Sequence, residues 1–85
     1  MKKLYHRIKD PLGLHARPAA KLAELARSYA CRITIHSEDR SAVATRIVDV
    51  IELGIRHGEQ ICIIVNGEQA EAACQALIDF CQKYL

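Results

Sequence analysis

A histidine, an arginine two residues on and a proline one further stand together in Gly13-Leu14-His15-Ala16-Arg17-Pro18, and their spacing sets the chemistry available. Proline lacks an N–H and disrupts a helix interior, so Pro18 fits only a first turn and a helix must begin close to Ala16. His15 then occupies the N-cap. The amides of Ala16 and Arg17 have no carbonyl partner within such a helix, and the positive end of its dipole points at whatever His15 carries. An anion suits this place: a phosphoryl group on the imidazole would accept those two N–H donors and a charge-assisted bond from Arg17. Neutral imidazole is a competent nucleophile near pH 7, and a helix N-terminus disfavours the imidazolium while favouring the negatively charged phosphorylated form. Each dipole contribution is about 0.3–1 kcal/mol, small enough for a high-energy phosphoramidate to be handed on rather than trapped.

The remaining chemistry-bearing residues are scattered. His6, His36 and His57 lie far apart, so no paired metal ligands arise, and no Walker-type phosphate loop or G-x-S-x-G elbow occurs. His6 is expected on the inner side of a strand, and His36 and His57 near turns. Cys31, Cys62, Cys74 and Cys81 form no C-x-x-C pair, which removes zinc-ribbon and thioredoxin-type readings. Cys74 and Cys81, seven apart on one helix, are expected on a buried face, where a thiol behaves as a small hydrophobe. A thiol-based sensor would need an exposed, low-pKa cysteine.

Positioning His15 requires a strand before it and a helix after it. Leu4, His6 and Ile8 alternate with Tyr5, Arg7 and Lys9, the period of a half-buried strand, and Asp10-Pro11-Leu12-Gly13 breaks it into a loop. From Ala16 to Tyr29 the apolar residues Ala19, Leu22, Ala23, Ala26 and Tyr29 recur at three and four, with Arg17, Lys21, Glu24 and Ser28 opposite. Arg32–Ser37 alternates through Ile33 and Ile35, Glu38–Ser41 reads as a turn, and Ala42–Thr45 as a return strand. Ile47–Leu53 reads as a short helix stopped by Gly54, although its β-branched content equally allows a strand. Glu59–Val65 reads as a buried strand ending in Asn66-Gly67. Glu68–Tyr84 reads as a last helix with Ala70, Ala73, Cys74, Leu77, Ile78 and Cys81 inward. The order βαββαβα in one short chain implies a two-layer α+β sandwich with one sheet face covered and the other wet.

Length and charge bound the partners. Eighty-five residues with 51% apolar side chains make one domain over residues 1–85 with one core, too small for a large substrate pocket. The longest apolar run, Ile61–Val65, falls far short of a membrane span. With reduced thiols the chain reads as soluble and cytoplasmic. Residues 1–46 carry ten Lys/Arg against four Asp/Glu, and residues 47–85 carry two against six. With no Trp and one Phe, this basic half fits an acidic protein or a phosphate better than nucleic acid.

The octapeptide Gly13-Leu14-His15-Ala16-Arg17-Pro18-Ala19-Ala20 resembles the active-site signature of the HPr family, the histidine-containing phosphocarriers of the bacterial phosphoenolpyruvate-dependent sugar phosphotransferase system. Leu53-Gly54-Ile55, Gly58 and the stretch Ile61–Gly67 extend the likeness over essentially the whole chain. The resemblance implies an open-faced sandwich, a four-stranded antiparallel sheet with three helices on one face. It implies that His15 takes phosphate on Nδ1 from enzyme I and gives it to enzyme IIA domains, Arg17 stabilising the phosphoryl group, with no metal or organic cofactor and no catalytic turnover of its own. Docking is implied on the first helix, through Ala20, Lys21, Glu24 and Arg27, and on an apolar patch of the second, Ile47, Val48 and Ile51. A monomer is expected.

Three positions depart from the family pattern. Many HPr proteins of Gram-positive bacteria carry a regulatory serine just before the short helix, where this chain has Arg46, which cannot be phosphorylated; Thr45 is the neighbouring hydroxyl. Glu24 and Asp49 stand where the partner-binding face is often basic, with Arg27 and Arg46 as compensating cations. The competing readings are an HPr-like paralogue in a regulatory, for example nitrogen-related, phosphorelay, and a non-covalent module binding through Ile47, Val48 and the basic helix face.

Overall fold

The computed structural model describes residues 1–85 as β1 (Lys2–Arg7), α1 (Ala16–Arg27), β2 (Cys31–Ser37), β3 (Arg40–Val43), α2 (Ile47–Glu52), β4 (Gln60–Gly67) and α3 (Ala70–Tyr84). The strands form one antiparallel sheet in the order β1-β4-β2-β3, and the helices share one face. The βαββαβα reading and its open-faced architecture are therefore correct.

Register explains why only one face is covered. Leu4 pairs with Ile63, His6 with Ile61, Ile33 with Val65 and Ile35 with Ile63. Because side chains alternate along a strand, these partners share one face, an apolar layer interrupted only by the His6 ring. Ile33, Ile35, Ile61, Ile63 and Val65 are at most 2% exposed. α1 meets this layer with Ala19, Leu22, Ala23 and Ala26, and α3 with Ala73, Leu77, Phe80 and Cys81. Truncating Leu77 or Ile63 to Ala costs about 2–5 kcal/mol. The other face stays open, with Tyr5 exposed opposite Cys62 and His36 next along the same row. His6 faces inward as expected, its Nε2 buried without a hydrogen-bond partner. His36, near the end of β2, bonds through Nε2 to Thr34 Oγ1 at 2.9 Å.

Element ends shift for local reasons. α1 stops at Arg27, two residues early, because the Ser28 hydroxyl donates back to the Leu25 carbonyl (2.7 Å) and caps the helix; Tyr29 still packs on the core. The charged run Glu38–Ser41 is not all turn: Ser37 pairs with Arg40 across a two-residue loop, Glu38 has φ 57°, and β3 begins at Arg40 and ends at Val43. The Arg40 guanidinium spans from this hairpin to the Glu59 carboxylate (2.7 Å) and the Leu53 carbonyl. α3 starts at Ala70, not Glu68. Gln69 instead accepts the Ala30 N–H. Of the two thiols expected inward on α3, Cys81 is buried and Cys74 only half-buried.

Candidate functional site

α1 begins where Pro18 requires. His15 is extended (φ −96°, ψ −172°), Ala16 is the first helical residue, and the His15 carbonyl accepts the Ala19 N–H at 3.0 Å. The amides of Ala16 and Arg17 meet no acceptor in the chain, and the His15 side chain makes no cap hydrogen bond. The imidazole is about one-third exposed, with Nε2 3.6 Å from Asp10 Oδ2. Two unspent donors beside a reachable imidazole form a concave positive end that suits a tetrahedral oxyanion.

The loop before His15 is pinned at both ends. The N–H groups of Lys9 (2.5 Å) and Asp10 (3.1 Å) donate to the Leu85 carbonyl, and Leu14 N–H donates to the Ile55 carbonyl at 3.0 Å. Between them the Asp10 carbonyl accepts the Gly13 N–H (2.9 Å), and Asp10 Oδ1 accepts the Leu12 N–H (2.8 Å). Gly13 has φ 70° and lies so close to Ile55 and Arg56 that a side chain there would collide with their backbone.

A cleft of about 420 Å³ opens beside the ring, lined by Arg17, Lys21, Lys83, Tyr84 and Asp10 among others. Arg17 is exposed and forms no ion pair, so its guanidinium is available to an anion. Lys21 and Lys83 each place Nζ 5.2 Å from the centre of the Tyr84 ring, a cation–π arrangement that gathers positive charge at the cleft. Asp10, Lys83 and Tyr84 escaped the sequence reading. Asp10 looked like part of a turn, and the other two come from the far end of the chain, where nothing local marks them.

Of the docking residues expected on α1, Ala20, Lys21, Glu24 and Arg27 are all exposed. On α2 the patch is redistributed: Val48 is 66% exposed and Ile51 37%, whereas Ile47 is half-buried against the core. Leu12, 73% exposed on the histidine loop, is a further apolar residue that the sequence reading passed over. Arg46 does not act as a free compensating cation, because its Nε lies 2.6 Å from Asp49 Oδ2 across the first turn of α2. The two charges cancel locally. Burial pushes the Cys81 thiol up to about 12 and also raises that of Cys31, which removes both as thiolates near neutral pH. No three His, Cys, Asp or Glu side chains converge to hold a metal, and no helix is long and apolar enough to cross a membrane.

Comparison with known proteins shows the family and the fold. The model of a family described as PTS-HPr, "PTS HPr component phosphorylation site", matches residues 4–83. The chain is 38% identical over 68 residues to the phosphocarrier protein HPr of Lysinibacillus sphaericus, covering 80% of this chain and 77% of that one. It is 37% identical over 68 residues to the phosphocarrier protein NPr of Shewanella violacea, covering 80% and 75%. The histidine-containing phosphocarrier protein of a mycoplasma superposes with a TM-score of 0.90 at 34% identity, covering 93% of this chain and 90% of the other. An open-faced sandwich with its first helix opening at a histidine defines the class of phosphotransferase-system phosphocarriers. Within that class, the chain belongs to the HPr family.

Proposed function

We propose that residues 1–85 act as one monomeric, cytoplasmic phosphocarrier domain in which His15 takes a phosphoryl group from phosphorylated enzyme I on Nδ1 and passes it to enzyme IIA domains, without turnover of its own. The Nδ1 lone pair attacks phosphorus as the donor's bond to phosphorus breaks; the reverse exchange delivers the group onward. The amides of Ala16 and Arg17 and the Arg17 guanidinium hold the phosphoryl oxygens. Exposed Ala20, Lys21, Glu24 and Arg27, with Val48 and Ile51 and the half-buried Ile47, form the docking face. The observation that carries this reading is the His15 ring, about one-third exposed, at a helix start whose first two amides are unpaired, in a chain of the HPr family.

Incubation with phosphoenolpyruvate and enzyme I tests it. An acid-labile, base-stable phosphate is expected, absent in His15→Ala. Label that persists in that variant rejects the site, and an unlabelled native chain rejects the carrier role. A second reading, a nitrogen-related relay, is favoured by the identity with NPr. Transfer from His15 to a panel of enzyme IIA domains separates the two: rapid delivery to sugar-specific acceptors supports uptake, and delivery only to a nitrogen-related acceptor supports the relay.

A further inference from the structure

Asp10 approaches His15 at Nε2, the ring nitrogen that the proposed function leaves unphosphorylated. Its Oδ2 lies 3.6 Å from Nε2, beyond a formed hydrogen bond but within ion-pair range, while its Oδ1 is occupied by the Leu12 N–H. Its own N–H is tied to the Leu85 carbonyl and its carbonyl to Gly13. The residue is therefore held at its N–H, its carbonyl and one carboxylate oxygen, and its side chain is only about one-quarter exposed. The other charged groups lining the cleft are all cations: Arg17 and Lys21 from α1 and Lys83 from α3. Asp10 is the only anion among them, and it faces the ring nitrogen that does not carry the cargo.

We propose that Asp10 is a positioning residue that keeps a proton on Nε2 of His15 through the transfer cycle, so that Nδ1 alone is nucleophile and leaving atom. This rests on the phosphocarrier reading. When Nδ1 attacks, the new N–P bond takes the Nδ1 lone pair, the donor leaves with its own electron pair, and the ring, retaining its Nε2 proton, becomes cationic. Asp10 offsets that charge. When the group moves on, the N–P electron pair returns to Nδ1 and the ring leaves as neutral imidazole. Without the Nε2 proton it would have to leave as an imidazolate, a far poorer leaving group. Asp10 also repels the phosphoryl group, and Arg17, Lys21 and Lys83, which line the same cleft, oppose that repulsion.

The test loads His15 with phosphoramidate, a small-molecule donor that needs no enzyme I, and follows the phosphohistidine of native protein and Asp10→Asn by 31P and 15N NMR against pH. Asparagine keeps an acceptor for the Leu12 N–H and removes only the charge. The native phosphohistidine is expected to hold its Nε2 proton to higher pH than the variant. Transfer to an acceptor domain is expected to slow by about two- to fivefold in the variant, the range of a partly exposed charge pair, with most of the difference lost at about 1 M salt. Asp10→Ala, which also loses the turn, should match Asp10→Asn in the pH profile while being less stable. A profile and rate in Asp10→Asn equal to native overturns the proposal. Because phosphoramidate bypasses the partners, failure of enzyme I to load the chain would strike the partner assignment and leave the Asp10 result standing. Refusal of His15 to take phosphate even from phosphoramidate would overturn both.

Discussion

Replacing Gly13 by alanine should cost far more than replacing Gly54, although the two have almost the same backbone angle. Gly13 has φ 70° and Gly54 φ 65°, so both substitutions force an L-residue into the left-handed region at about 1–2 kcal/mol. At Gly54 a new Cβ meets no atom within 4 Å, and alanine recovers about 0.4–1 kcal/mol by restricting the unfolded chain. Its net cost is about 1 kcal/mol. At Gly13 the same atom would collide with the Ile55 carbonyl oxygen and sit 2.9 Å from Arg56 Cα. The loop must retreat, at about 1–3 kcal/mol for overpacking, and the Leu14 N–H to Ile55 bond at 3.0 Å is lost for about another 1 kcal/mol. With the same recovery from the unfolded chain subtracted, the expected cost centres on about 4 kcal/mol. For a domain of this size that lowers Tm by more than about 12 °C, against about 4–8 °C for Gly54→Ala. Urea unfolding followed by circular dichroism, confirmed by thermal melts, measures both. Equal losses would refute the close-approach argument, leaving only backbone strain.

Arg17→Ala should leave stability unchanged, since the side chain is exposed and unpaired. Phosphoryl transfer through His15 should fall about 10- to 100-fold, the worth of a charge-assisted bond, as read by quench-flow with a labelled donor. Burial opposes ionisation of Glu59, yet hydrogen bonds from Arg40, Ser37 and the Arg56 amide, with the Arg40 charge, outweigh it and hold the carboxyl below its ordinary value. A depressed carboxyl contributes stability above the unfolded pKa, about 4.3, and loses it as pH falls through the folded value. Urea midpoints should therefore drop between about pH 5 and pH 3, less steeply in Glu59→Gln. Val48→Asp should change stability by no more than about 0.5 kcal/mol, because the side chain is 66% exposed; titration calorimetry with enzyme I should show binding weakened at least tenfold.

Periodicity was enough to order the elements, because one apolar layer of strands and two helical stripes account for about two-thirds of the core, the rest coming from α2, the loops and Leu85. Leu4, Ile33, Ile35, Ile61, Ile63 and Val65 announce their side of the sheet by alternation alone, and Pro18 fixes the start of α1 by its missing N–H. Failures arise where a side chain overrides the local pattern. Ser28 ends α1 early by back-bonding, and Arg40, drawn across to Glu59 and Leu53, holds a charged stretch in a strand. The apolar pattern of α2 was ambiguous because six residues expose two faces: only Val50 is fully buried, so Ile47 and Ile51 divide differently from a longer amphipathic helix. Pairing of Arg46 with Asp49 follows their i,i+3 spacing and was open to a sequence argument. The approach of Asp10, Lys83 and Tyr84 to His15 was not, since it depends on α3 closing back onto β1.

That closure divides the site into fixed and adjustable parts. Backbone groups supply what must not move: two free amides at the start of α1, a loop clasped to Leu85 at one end and Ile55 at the other, and a glycine that lets the two backbones meet. Flexible side chains, Arg17, Lys21 and Lys83, supply charge that can follow an anion in and out of a shallow cleft. On the proposed reading a carrier needs this asymmetry. Donors that were all rigid would bind the phosphorylated state too well to release it, whereas a loose loop would leave the ring without direction. The sequence constraint differs accordingly. At positions 13 and 18 backbone geometry restricts the residue type, whereas Ala16, whose contribution is an N–H, accepts other side chains as long as that amide stays in place.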